Sequence, residues 1–145
     1  MSFLRAWTQH ATQTGLVTDA GQPGIQSFWG RQPHAPVDCV TWWLEPTGQP
    51  ASLDTVVTAD IRGVVRHAGT ESDLTEPGRA LAENLLRALG DDTRSADTTI
   101  TDPDTGTTYL LTQALPLSDM PTPLGPDESG NAHEWSLVLR VTYSA

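Results

Sequence analysis

From Val37 to Glu45 almost every side chain is apolar, β-branched or aromatic, and this holds on both alternations of the segment. One alternation carries Val37, Cys39, Thr41 and Trp43; the other carries Asp38, Val40, Trp42 and Leu44. Successive side chains of a strand point to opposite faces of a sheet. A strand with this pattern is therefore predicted to be covered on both faces, by its own fold or by another subunit. The pair Trp42–Trp43 sharpens the constraint. Its two indoles point in opposite directions, and a sheet with helices on one side buries only one of them itself. Either both are nevertheless taken into the core, or the other anchors a subunit interface, where Trp is enriched.

The rest of the chain is long enough to supply one such fold. A length of 145 residues matches one domain, and about two-thirds of its unfolded surface can be buried without covalent staples. Cys39 is the single cysteine, so no intramolecular disulfide is possible, which suits a reducing compartment. Arg5, Gln9, His10 and Gln13 interrupt the segment Met1–Leu16, so no apolar signal core is expected there. No run approaches the ~20 apolar residues that span a bilayer.

Charge narrows the function classes. The formal net charge is −10, and every one of the 8 basic residues is Arg. Between Asp91 and Glu134 stand Asp91, Asp92, Asp97, Asp102, Asp104, Asp119, Asp127, Glu128 and Glu134 against Arg94 alone. Binding to nucleic acid through its phosphates needs a basic stripe, and the sequence has none.

Periodicity places the elements. Phe3, Leu4, Trp7 and Ala11 share one helical face, predicting a helix over residues 2–13 with Ser2 as its cap. Residues 15–36, rich in Gly, Pro and Gln, read as an irregular connection, with Ile25, Phe28 and Trp29 anchoring it or forming a short strand. After the strand 37–45, a turn at Pro46–Pro50 leads to a long strand, Thr55–Arg66, with Val57, Ala59, Ile61 and Val65 on one face. A second helix is predicted over Glu76–Leu89. Thr75 is its expected cap, Pro77 lies in its first turn, and Gly90 follows its end. A hairpin joins 98–101 to 107–115 around Asp102–Pro103–Asp104–Thr105–Gly106. A Pro-rich loop, 116–131, precedes an alternating last strand, His133–Tyr143.

These elements predict one domain over residues 1–145, comprising the first helix, the connection, and the sheet with the second helix in 37–145. The fold class is α+β, an antiparallel or mixed sheet of four to five strands with two helices packed on one face. Val40, Trp42 and Val56 are expected on the open face, with Arg62 and Arg66, as a subunit interface.

Nothing in the sequence points to catalysis, a metal or a cofactor. His10, His34, His67 and His133 are scattered, without ligand spacing. The turn 102–106 opens like a calcium loop but lacks the later ligands. Cys39 sits among apolar neighbours, the setting of an inert thiol. No nucleophile elbow or phosphate loop is present.

The segments "LDTVVTADIRGVVRHAG", "GRALAENLLRALG" and "PTPLGPDESGNAHEWSLVLRVTYSA" resemble, from Asp54 onward, the tail-terminator and minor-capsid (head–tail joining) proteins of long-tailed bacteriophages. The N-terminal third agrees in outline. The resemblance implies a non-enzymatic virion protein that forms a homo-oligomeric ring, commonly a hexamer. Such a ring caps the tail tube, joins it to the head connector and lets DNA pass without specific binding. It would assemble in the host cytoplasm and remain in the neck of the virion, with no membrane partner. An acidic lumen would repel phosphate, and Asp102 and Asp104, or Asp127 and Glu128, are the residues expected to line it. The alternatives are a head-completion or adaptor ring and, in a different class, a small-molecule or peptide-binding module built on the Trp-rich strand.

Overall fold

The computed structural model describes residues 2–46, 56–68, 76–90 and 98–144. The expected turn at 47–50, the start of the long strand at Thr55, the Thr75 cap and the acids Asp91, Asp92 and Asp97 lie outside the described residues. In chain order the elements are α1 (Ser2–Thr12), β1 (Gln26–Trp29), β2 (Cys39–Pro46), β3 (Val56–Ala68), α2 (Glu76–Leu89), β4 (Thr98–Thr101), β5 (Thr108–Pro116), β6 (Thr122–Pro126) and β7 (Ala132–Ser144). The class is α+β. The described strands form one mixed sheet of seven, ordered β1-β2-β3-β7-β5-β4, with β6 beside β7. Only the β1–β2 pairing is parallel.

Two strands exceed the expected count, for different reasons. In β1, Phe28 and Trp29 align with Thr41 and Trp42 of β2, so the apolar patch of the connection is an edge strand. In β6, Pro123 and Pro126 disguise a strand as a loop. Proline donates no ladder hydrogen bond and is tolerated at an edge, and β6 pairs on one side only, with β7. Its register shifts between Pro123 and Gly125, where Gly125 takes a positive φ of 86°, the backbone conformation that favours glycine at a bulge.

β7 is the spine. One edge pairs with β3 from Ala132 to Ser144. Its other edge is divided: β5 takes Leu139–Ser144 and β6 takes His133–Ser136. Between them the Leu117 amide donates to the Val138 carbonyl at 3.0 Å. β5, the 117–120 bend and β6 thus act as one bent strand.

Register fixes which side chains share a face. Val40, Trp42 and Leu44 lie beside Val65, Gly63 and Ile61, which in turn lie beside Trp135, Leu137 and Leu139. Both helices cover this face. From α2, Ala82, Leu85, Leu86 and Leu89 are buried, while Gly78 abuts His67 and Trp135. From α1, Trp7 meets the Trp42 ring edge-on at 5.7 Å, and Phe3 stacks on Tyr143. Gly63 makes room for this packing: a Cβ there would lie 2.6 Å from the Trp42 ring. Gly90 serves a similar end. Its φ is not among the positive ones, but a Cβ would collide with Pro116 and the Leu86 carbonyl. The residue past α2 is glycine for close packing against β5.

The sheet curls around α1, and Arg5 ties its two sides together. Nη1 of Arg5 meets Asp19, before β1, at 3.0 Å; Nε meets Asp104, in the β4–β5 turn, at 3.2 Å. The guanidinium lies 4.3 Å from the centre of the Trp29 ring. Burial opposes the Arg5 charge, and the hydrogen bonds and charges of Asp19 and Asp104 outweigh it, so the pKa is raised. Ser2, expected to cap its own helix, instead donates its hydroxyl to Asp102 at 2.7 Å.

Candidate functional site

The remaining surface of note is the other face of the sheet. Along β3 it carries Val56, Thr58, Asp60, Arg62, Val64 and Arg66, and along β7 the facing residues Ser144, Thr142, Arg140, Val138, Ser136 and Glu134. Two ion pairs span the middle. Arg140 Nε donates to Asp60 at 2.9 Å, and Arg62 approaches Glu45 of β2 more loosely at 3.8 Å. Thr58 and Thr142 face each other across the ladder with hydroxyls 3.3 Å apart. At one end, Val56 of β3 and Leu110 of β5 flank Ser144 and are exposed.

The opposite end of this face is roofed by residues 30–38. Arg66 is buried there and donates to the carbonyls of Val37 (2.9 Å), Pro33 (2.6 Å) and Pro36 (3.0 Å). The Asp38 carboxylate accepts the Ala68 amide at 2.8 Å, and Gln32 donates to Glu134 at 2.9 Å. Cys39 and Thr41 are fully buried under this roof. Burial raises the Cys39 thiol pKa against the opposing pull of Arg66, so the thiol stays protonated and a poor nucleophile. Where roof and β6 stop, a hollow of about 430 Å³ opens over Trp43 and Val64, walled by Leu124 and rimmed by Arg62, Glu45 and Glu134.

The residues expected as one interface fall in three places. Val40 and Trp42 are completely buried, Trp42 against Trp7 of α1, because their register partners are Val65 and Gly63 on the helix-covered face. Trp43, the neighbouring indole, is the one that reaches the other face. Arg66 is buried as an anchor for the roof. Of the five, only Val56, at one end, and Arg62, in the middle, lie open on this face.

The four acids expected at a lumen also separate. Asp102 is buried. It accepts the Ser2 hydroxyl and, through its other oxygen, the Asp104 amide at 2.8 Å. The Ser2 bond is the main cause of its lowered pKa, with burial opposing and the Asp104 and Thr105 amides assisting. Asp104 is engaged by Arg5. Asp127 accepts from Ser129 at 2.7 Å, which chiefly lowers its pKa, and Glu128 is exposed.

No protein-family model and no curated protein matches this chain. Among the described residues no three His, Cys, Asp or Glu side chains gather in a way that could hold a metal ion. No described helix is long and apolar enough to cross a membrane. His10 lies partly buried on α1, and burial lowers its pKa against the pull of Gln13. Trp43, with Val64 behind it, is the feature that sequence reasoning left unassigned. The signal was present in the Trp–Trp pair, but alternation alone does not say which indole faces the helices.

Proposed function

We propose that this chain is a structural ring subunit of the tail-terminator or head–tail-joining type, working by assembly with copies of itself on the end of a phage tail tube. The observation that carries this reading is the asymmetry of the sheet. One face is sealed by two helices, while the other presents ion pairs, threonines and an apolar-floored hollow across β2, β3 and β7. A mixed apolar and charged patch of this kind is the anatomy of an assembly surface. The acidic balance, −10 per copy, supports passage of DNA without adhesion. Asp127 and Glu128 suit a lumen better than Asp102 and Asp104, whose carboxylates are engaged by Ser2 and Arg5.

The test is electron microscopy and solution mass of the protein alone and mixed with tail tubes. Closed rings, alone or seated on tube ends, are the expected outcome. A monomer under both conditions overturns the reading. Cryo-microscopy of rings on tubes separates a terminator, which contacts the tube, from a head-completion adaptor, which contacts the connector.

A second reading draws on the hollow itself. Its volume falls in the range of about 300–1,000 Å³ typical of small-molecule sites, and Trp43 offers an aromatic floor. A binding module would remain a monomer or dimer and bind a small molecule or peptide with a change in Trp fluorescence.

A further inference from the structure

The seam between α1 and β4 holds a titratable ring for which neither element supplies a counter-charge. His10 stands in the last turn of α1. Beside it is a hollow of about 250 Å³ that Gln9, Gln13, Thr99, Ile100, Thr101 and Pro103 line with it. We propose that His10 is a proton-sensitive latch: with its ring neutral α1 lies closed on β4, and protonation in mild acid loosens this end of the helix from the sheet. The device belongs to the single chain and operates whether or not copies assemble.

Geometry makes the charged ring costly. Nδ1 of His10 is sealed from water and has no hydrogen-bond partner among the described residues, and the same holds for Oε1 of Gln9. The Trp7 ring stands 5.7 Å from the imidazole. In the imidazolium both ring nitrogens are donors, so Nδ1 would carry a buried N–H and part of a positive charge with no acceptor, the more expensive state to bury. The end of a helix favours a cation, and Gln13 pulls the same way. Burial prevails, and the pKa lies below the ordinary 6.5.

Among the described residues no carboxylate lines the hollow. From β4 the ring meets threonines and Ile100. In the turn beyond β4, Asp102 accepts from Ser2 and Asp104 from Arg5, both toward the start of α1. Arg5 is turned to Asp19 and Trp29, and Tyr109 and Tyr143 lie against Phe3. His67 shows the opposite arrangement, with the Asp38 carboxylate 3.7 Å from its ring. Because Ser2, Phe3 and Arg5 fasten the start of α1 separately, loosening begins at the His10 end.

The test is a titration of the full chain from about pH 7.5 to about pH 5, reading the histidine rings and backbone amide exchange by NMR, with His10→Gln as the control. The loosened ring takes up the proton first. The closed state is therefore fully favoured above the loosened-state pKa and loses ground as pH falls toward the closed-state value. Amides of residues 7–12, corrected for intrinsic exchange, should lose protection by about tenfold for each unit separating the two pKa values. Amides of α2 should keep theirs, and His10→Gln should abolish the loss. A measured His10 pKa at or above the ordinary 6.5 overturns the latch. So does protection in α1 that ignores the titration, a loss shared equally by α2, or a loss that survives in folded His10→Gln. If that variant does not fold, the wild-type titration and exchange decide by the same outcomes.

Discussion

The two faces of β3 and β7 are built from alternate residues of the same strands, yet they follow different rules. On the helix side, Ile61, Val65, Leu137, Leu139 and Val141 are essentially sealed from water, so each methylene removed leaves a cavity that neighbours fill poorly. On the other side, Asp60, Arg62 and Arg140 keep contact with solvent, where ion pairs contribute little. Stability therefore resides chiefly on the helix side, while the part of the other face beyond the 30–38 roof stays open to solvent.

Removal of a core side chain should show the contrast most strongly. Leu85 is fully buried, so Leu85→Ala should lower unfolding free energy by about 2–5 kcal/mol in a denaturant titration. A loss under about half a kcal/mol would mean that α2 does not pack as described. The next largest effect comes from adding an atom to the same face. Gly63→Ala forces its new Cβ against a Trp42 ring already wedged on Trp7, and should cost about 1–3 kcal/mol. Its near-ultraviolet circular dichroism should change as the indoles shift.

Arg5 lies between the two regimes, with its side chain 12% exposed and partners on both sides of α1. Arg5→Ala should cost about 1–2 kcal/mol from two ion pairs and one cation–π contact. The cost should shrink in high salt if the ion pairs dominate.

Asp102 should show itself through pH. Its pKa is lowered in the fold, chiefly by Ser2, from an unfolded value of about 3.9. The unfolded chain therefore takes up the proton first. The stabilisation is complete above pH ~4 and is lost as pH falls through the folded value. Asp102→Asn should flatten that acid limb in unfolding midpoints measured between about pH 2 and 6; an unchanged limb would assign it to other carboxylates.

The smallest effect belongs to the open face. Arg140→Ala, which removes the solvent-screened Asp60 pair, should leave the unfolding midpoint essentially unchanged. A loss comparable to that of Leu85→Ala would erase the distinction between the faces.

Much of the fold was legible in the sequence wherever one physical rule acted alone. β7 alternates cleanly, and α2 carries Leu85 and Leu89 on one stripe behind Pro77, so their ranges follow from periodicity. β6 was hidden because its prolines signal loops everywhere except at an edge, and an edge is defined only once the sheet is assembled. Val40 and Trp42 were expected on the open face and lie on the helix-covered one for a related reason. In β2 both alternations are apolar, and only the pairing of Trp42 with Gly63 decides which indole goes inward. Arg66 and Asp102 look like surface charges by type, but the carbonyls of residues 33–37 and the Ser2 hydroxyl that hold them are distant in sequence.

The clasp at the start of the chain has a consequence for how the molecule comes together. Ser2 and Arg5 bond to Asp102 and Asp104, partners 100 and 99 residues away, and Phe3 stacks on Tyr143 near the other end. Such distant contacts pay a loop-closure entropy before they return anything, which slows folding. During synthesis α1 leaves the ribosome before the sheet and has no complete seat until β7 has emerged. Its Trp7 and Phe3 face must wait exposed while the rest of the sheet is made.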